Sequence, residues 1–112
     1  MSPLKITTRD APTGPVLEVV GDLDHTTADE LRALAAAVPL EPGRRLVLDL
    51  ERMEFCDSSG ITALLAARHR ALAAGAEVAL AAVPANTRRI LGIVGLDQVF
   101  PLYPDADTAT AP

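Results

Sequence analysis

Leu46-Val47-Leu48-Asp49-Leu50-Glu51-Arg52-Met53-Glu54-Phe55-Cys56-Asp57-Ser58-Ser59-Gly60-Ile61-Thr62-Ala63-Leu64-Leu65 is the stretch on which the fold turns. Residues 46–50 form a nearly continuous apolar run, the pattern of a strand covered on both faces by packed helices. After a ten-residue loop, Ile61, Leu64, Leu65 and Leu72 recur at helical spacing and stop near Gly75. Glu77 to Val83 then reads as another strand, completing a β-α-β unit whose crossover is expected to be right-handed.

Upstream, Leu4 to Thr8 and Val16 to Val20 read as two short strands around the turn-rich stretch Arg9 to Pro15. Thr27, with Glu30 three residues on, predicts a capping box opening a helix through Leu31, Leu34, Ala35 and Val38. Pro39, Pro42 and Gly43 end it. Downstream, Pro84 suits the first turn of a third helix through Ile90, Leu91 and Val94, with Gly95 as its stop. Val99 to Tyr103 adds a possible last strand, and the tail from Pro104 to Pro112 lacks any apolar period.

The expected architecture is one α/β domain over residues 1–103, with a mixed four- to five-stranded sheet, helices packed mainly on one face, and no deep pocket. Residues 104–112 are expected to form a loosely ordered tail.

At 112 residues the chain can build a single core. With three aromatic residues and no Trp, that core must come from Leu, Val, Ile and Ala, with Phe55, Phe100 and Tyr103 as its large pieces. A net charge of −5 without a Lys/Arg run argues against nucleic acid and anionic membrane as partners. No apolar stretch approaches the roughly 20 residues of a membrane span, and residues 1–10 lack a signal core. A lone cysteine, Cys56, forms no intrachain disulfide and matches no zinc spacing. These features predict a soluble, cytoplasmic protein with no cofactor or metal.

The loop carries the candidate chemistry. Asp57 or Ser58 can cap the following helix, because the free N–H groups of its first turn need acceptors. The same N–H groups and the positive end of the helix dipole tolerate an anion, so a phosphate on Ser58 would alter the surface without unfolding the helix. Gly60, lacking a Cβ, permits close approach to the helix start.

Competing readings are weaker. Ser58 or Ser59 as nucleophile with His25 or His69 as base lacks a G-x-S-x-G elbow and a glycine-rich loop, so no enzyme is expected. Asp24 with His25 is better read as surface or capping than as a metal or pH site, and Cys56 as a small buried residue rather than a redox switch. Arg88 and Arg89 suit a solvated helix face. Arg68, within the apolar stripe of the second helix, requires either a snorkelling side chain or a partner.

Three segments carry a family resemblance: GDLDHTTADEL (Gly21 to Leu31), LVLDLERMEFCDSSGITALL (Leu46 to Leu65) and VPANTRRILGIVGLDQVF (Val83 to Phe100). From about Leu4 to Tyr103 the chain resembles the STAS-domain anti-sigma factor antagonists. The resemblance implies that the unphosphorylated protein binds an anti-sigma factor that is also a serine kinase, freeing a sigma factor. Phosphorylation of the first serine of the DSSG element, Ser58 here, would end that binding, and a PP2C-type phosphatase would restore it. Asp24, His25, Asp57, Ser58, Ser59 and Gly60 would form the partner-binding region. The alternative is a non-phosphorylated STAS scaffold subunit of a stress-signalling or lipid-transport assembly. Exposed sheet edges also leave a weak homodimer open.

Overall fold

The computed structural model describes residues 3–112, so Met1 and Ser2, which open the span read as one domain, lie outside the described residues. The chain runs β1 (Lys5–Ala11), β2 (Gly14–Leu23), α1 (Ala28–Ala37), β3 (Arg45–Asp49), β4 (Met53–Cys56), α2 (Ser58–Ala73), β5 (Glu77–Ala81), α3 (Ala85–Ile93), a 3-10 turn at Leu96–Gln98, β6 (Leu102–Tyr103) and α4 (Ala106–Ala109). The sheet is ordered β1-β2-β3-β5-β6, with β4 paired to β2 off this path.

Connection length explains the mixed sheet. A two-residue turn makes β1 and β2 antiparallel, whereas crossovers through α1, α2 and α3 bring β3, β5 and β6 in parallel to their neighbours, and β4, three residues after β3, runs parallel to β2. β2 is twice the expected length and starts at Gly14, whose φ of +149° and position against the Arg45 carbonyl leave no room for a Cβ.

Alternation along the central strands divides the core. Leu17 and Val19 of β2, Leu46 and Leu48 of β3, and Val78 and Leu80 of β5 face the layer of α1 and α2. Val16, Val47, Ala79 and Ala81 face the other way, where Ala109 of α4 covers them. Leu91 of α3 joins the same cluster, so three of the four helices among the described residues belong to the larger layer, and the helices lie mainly on one face as expected.

α2 packs on α1, β5 and the end of β4, and its buried side is a narrow seat of Gly60, Ala63, Leu64, Ala67 and Ala71. Small side chains let the helix lie close to its neighbours. Leu72, counted in the apolar stripe from the sequence, is 51% exposed, since it falls one residue beyond the seat and points about 100° away. The third helix starts at Ala85 with Pro84 as its extended N-cap residue, one position later than anticipated.

Two further expectations are corrected. The sheet has six strands among the described residues, because Met53–Cys56, a loop by its sequence pattern, pairs with the far end of β2. The tail is ordered rather than loose. Asp105 caps α4 by accepting from the Thr108 N–H at 2.7 Å, Arg45 donates to the Ala109 carbonyl at 2.9 Å, and Thr13 to the Thr110 carbonyl at 3.2 Å. One fully buried alanine at a single helical turn does not need the apolar period that the sequence reading looked for.

β4 also carries an irregularity. Gly21 and Asp22 are consecutive in β2, yet their partners Met53 and Phe55 are two apart, so Glu54 is an extra residue on β4. Such a bulge breaks the inward-outward alternation. Met53 and Cys56 are buried, while Glu54 and Phe55 both face solvent, Phe55 at 53% exposure. Phe55 is therefore not the core residue its type suggested. Phe100, at 2%, is one.

Candidate docking and phosphorylation site

β2 and β4 run parallel and end together, with Leu23 opposite Cys56 and the Asp57 N–H bonded to the Leu23 carbonyl at 3.3 Å. The loop after β2, Asp24 to Thr27, therefore lies beside the start of α2. Asp57 joins the two. Its Oδ1 accepts from the Gly60 N–H at 3.0 Å, which caps α2, and its Oδ2 accepts from the His25 N–H at 3.3 Å. The His25 Nδ1 stands 3.9 Å from the same carboxylate. A cap of this kind contributes about 1 kcal/mol.

The β2–α1 loop is built by its own polar side chains. Asp24 accepts from the Thr26 hydroxyl at 2.7 Å and the Thr26 N–H at 2.9 Å. These bonds, the hydroxyl first, hold its carboxyl below the usual carboxylate range. The Thr27 hydroxyl donates to the Asp22 carbonyl at 2.8 Å and accepts from the Asp24 N–H at 2.9 Å. Committed to those partners, Thr27 makes no side-chain cap to α1, so the capping box with Glu30 does not form.

Ser58 is the first residue of α2, and it is exposed. Ser59 is half-buried. No acidic residue occupies the first turn of α2, and the side chain that caps its free N–H groups is that of Asp57.

Residues 6–104 match the family described as "Mlab, STAS domain". The chain belongs to the STAS domain family. An anti-sigma F factor antagonist of Paenibacillus polymyxa is 30% identical to it over 89 residues, covering 79% of this chain and 76% of that protein. The anti-sigma-F factor antagonist RsfB of Mycobacterium tuberculosis is 30% identical over 100 residues, covering 89% and 81%. Among solved structures, an anti-sigma factor antagonist from Mycobacterium paratuberculosis superposes with a TM-score of 0.80 at 31% identity, covering 96% of this chain and 94% of that one. These relatives are anti-sigma factor antagonists.

In this STAS domain, Asp24, His25, Asp57, Ser58 and Ser59 come together at one end of the sheet. Gly60 is there too but is buried by the domain's own chain: a Cβ would sit 2.5 Å from the Leu23 carbonyl and 2.6 Å from the Cys56 sulfur. It seats the helix rather than receiving a partner. His69 is not brought to the serines, since eleven residues of helix separate it from Ser58, about 16 Å along the axis. The Cys56 thiol is buried, and that burial, with the nearby Asp57 charge, pushes its pKa up to about 12. A thiol so held is poorly suited to redox chemistry at neutral pH.

Arg88, exposed on α3, reaches back to the Val83 carbonyl at 3.5 Å. Among the described residues, no group of three His, Cys, Asp or Glu side chains is placed to hold a metal, and no helix is long and apolar enough to cross a membrane. A cleft of about 400 Å³ between Thr8 to Asp10 and Val38 to Arg44 shares no residue with the site. The feature that sequence reasoning missed is the outward Phe55. Its only signal was the lack of alternation in Met53-Glu54-Phe55-Cys56.

Proposed function

We propose that this STAS domain is an anti-sigma factor antagonist with a partner-switching role. Unphosphorylated, it binds a serine-kinase anti-sigma factor and so releases a sigma factor in the cytoplasm; phosphorylation of Ser58 ends the binding. A PP2C-type phosphatase reverses it. The domain itself performs no catalysis.

The observation that carries this reading is the exposed Ser58 as the first residue of a capped helix, within the DSSG element of a chain whose relatives are antagonists. Phosphorylation adds about 1.5 to 2 negative charges and three acceptor oxygens. The helix N-terminus accommodates them, so the fold is kept. An interface closed around a bare hydroxyl has no space for the added group, and burying that charge beside Asp57 costs desolvation that the partner does not compensate.

The scaffold reading has one point in its favour, the name of the matched family, which is broader than the antagonists. One experiment separates the two. The purified chain is incubated with ATP and candidate serine-kinase anti-sigma factors, and the Ser58 peptide is scored by mass spectrometry. We expect phosphate on that peptide, none in Ser58→Ala, and loss of kinase binding on phosphorylation or in Ser58→Asp. Tight binding retained by the phosphorylated protein would reject the switch and favour the scaffold.

A further inference from the structure

The bulge at Glu54 has a directional effect on its neighbours. Regular alternation from the buried Met53 would place Phe55 inside and Cys56 outside; the extra residue reverses both. The domain thereby turns one of its three aromatic side chains to solvent, at 53% exposure, three residues before the exposed Ser58. Single exposed apolar residues need no explanation as such. Here, however, the exposure is imposed by a backbone irregularity at the very end of the sheet that carries the candidate site.

We propose that Phe55 is the fixed anchor of the docking surface, entering an apolar pocket of the anti-sigma factor while Ser58 beside it acts as the switch. This rests on the function proposed above and assigns to its partner surface a residue that the resemblance did not supply. Aromatic side chains dominate interface energetics because they bury a large rigid area at little entropic cost. Asp57 and Ser58 directly follow the strand that presents Phe55, which puts anchor and switch three residues apart at the same end of the sheet.

Charge selects the occupant. Asp22 is the register partner of Phe55, Glu54 precedes it, and Asp24 and Asp57 stand at the adjoining strand ends, with Arg52 as the one cation between residues 51 and 57. Two copies of the chain meeting here would oppose like carboxylates. A partner whose apolar pocket is bordered by Lys or Arg meets both the ring and its acidic rim.

The test measures affinity of the unphosphorylated wild type, Phe55→Ala and Phe55→Leu for the anti-sigma factor by calorimetry, with thermal melting alongside. Phe55→Ala is expected to weaken binding at least tenfold, Phe55→Leu to fall between the two, and both to melt close to the wild type because the ring is half in solvent. Equal affinity of wild type and Phe55→Ala would overturn the anchor while leaving the proposed function intact. Failure of the wild type to bind any anti-sigma factor would overturn both. A concentration-dependent dimer in sedimentation that Phe55→Ala abolishes would assign the ring to a second copy, and would overturn the anchor as stated. Should Phe55→Ala melt early, Phe55→Leu decides: undiminished binding by that variant, together with undiminished binding by a folded Phe55→Ser, overturns the proposal.

Discussion

Cys56 and Asp57 are adjacent, and their surroundings send them to opposite tasks. Asp57 turns both carboxylate oxygens toward backbone N–H groups, one in α2 and one in the β2–α1 loop. Cys56 turns inward, where burial raises its thiol pKa from 9.0 to about 12. A pKa raised in the folded state means that the native protein holds the proton longer than the unfolded chain does. The stability linked to this group is therefore fully present below pH 9 and is lost as pH rises toward 12. Iodoacetamide at pH 8.5 is expected to label Cys56 slowly in the native protein and readily in denaturant, and alkaline destabilisation should be shallower in Cys56→Ala. Rapid native labelling would contradict the burial. At this scale the sequence was informative where local chemistry decides. The Asp57 cap follows from an acceptor three residues before a helical N–H, whereas the outward Phe55 depends on a one-residue register shift that side-chain type does not record.

α2 combines two demands along one helix. Its buried side is made of glycine, alanine and one leucine, and its first turn presents Ser58. Gly60→Ala sets these demands against each other. Alanine favours a helix interior over glycine by about 1 kcal/mol. Yet its Cβ would meet the Leu23 carbonyl at 2.5 Å, a backbone atom that cannot step aside without moving the β2–β4 pair. Overpacking of this kind costs about 1–3 kcal/mol, so the clash wins. A lower urea midpoint for Gly60→Ala is expected, with disturbance of the amide resonances of Asp24 and His25. A midpoint unchanged or raised would show that the seat has slack. The long elements, β3, α2 and β5, were legible because their apolar periods are strong and their stops are glycine or proline. β4 was not, since four residues around a bulge have no period, and the seat of α2 was only half legible because alanines carry little weight in a hydrophobic pattern.

Viewed whole, the sheet has one face under α1 and α2 and another closed by a single turn of helix. Ala109 lies fully buried over Val16, Val47, Ala79 and Ala81, and Arg45 holds this closure by bonding the Ala109 carbonyl, pairing with Glu77 at 3.6 Å and stacking 5.5 Å from the Tyr103 ring. A chain ending at Tyr103 is expected to melt at lower temperature than the full chain and to bind a hydrophobic dye such as ANS, through the uncovered valines. Equal melting and no dye binding would mean that α4 contributes nothing to that face. The fold class was legible at this scale from the alternation of strand and helix patterns. The closure was not, because a polar, proline-bounded tail with one useful alanine has the composition of disorder.

The bulge in β4 also bears on divergence. Glu54 and Phe55 both face solvent, whereas Gly60, five residues beyond Phe55, admits not even one more carbon atom. Variation at the first pair is mechanically free; variation at the second is not. A cell carrying several duplicated copies of such a domain would therefore insulate their signals from cross-talk by drift at 54 and 55, without ever having to reinvent the switch.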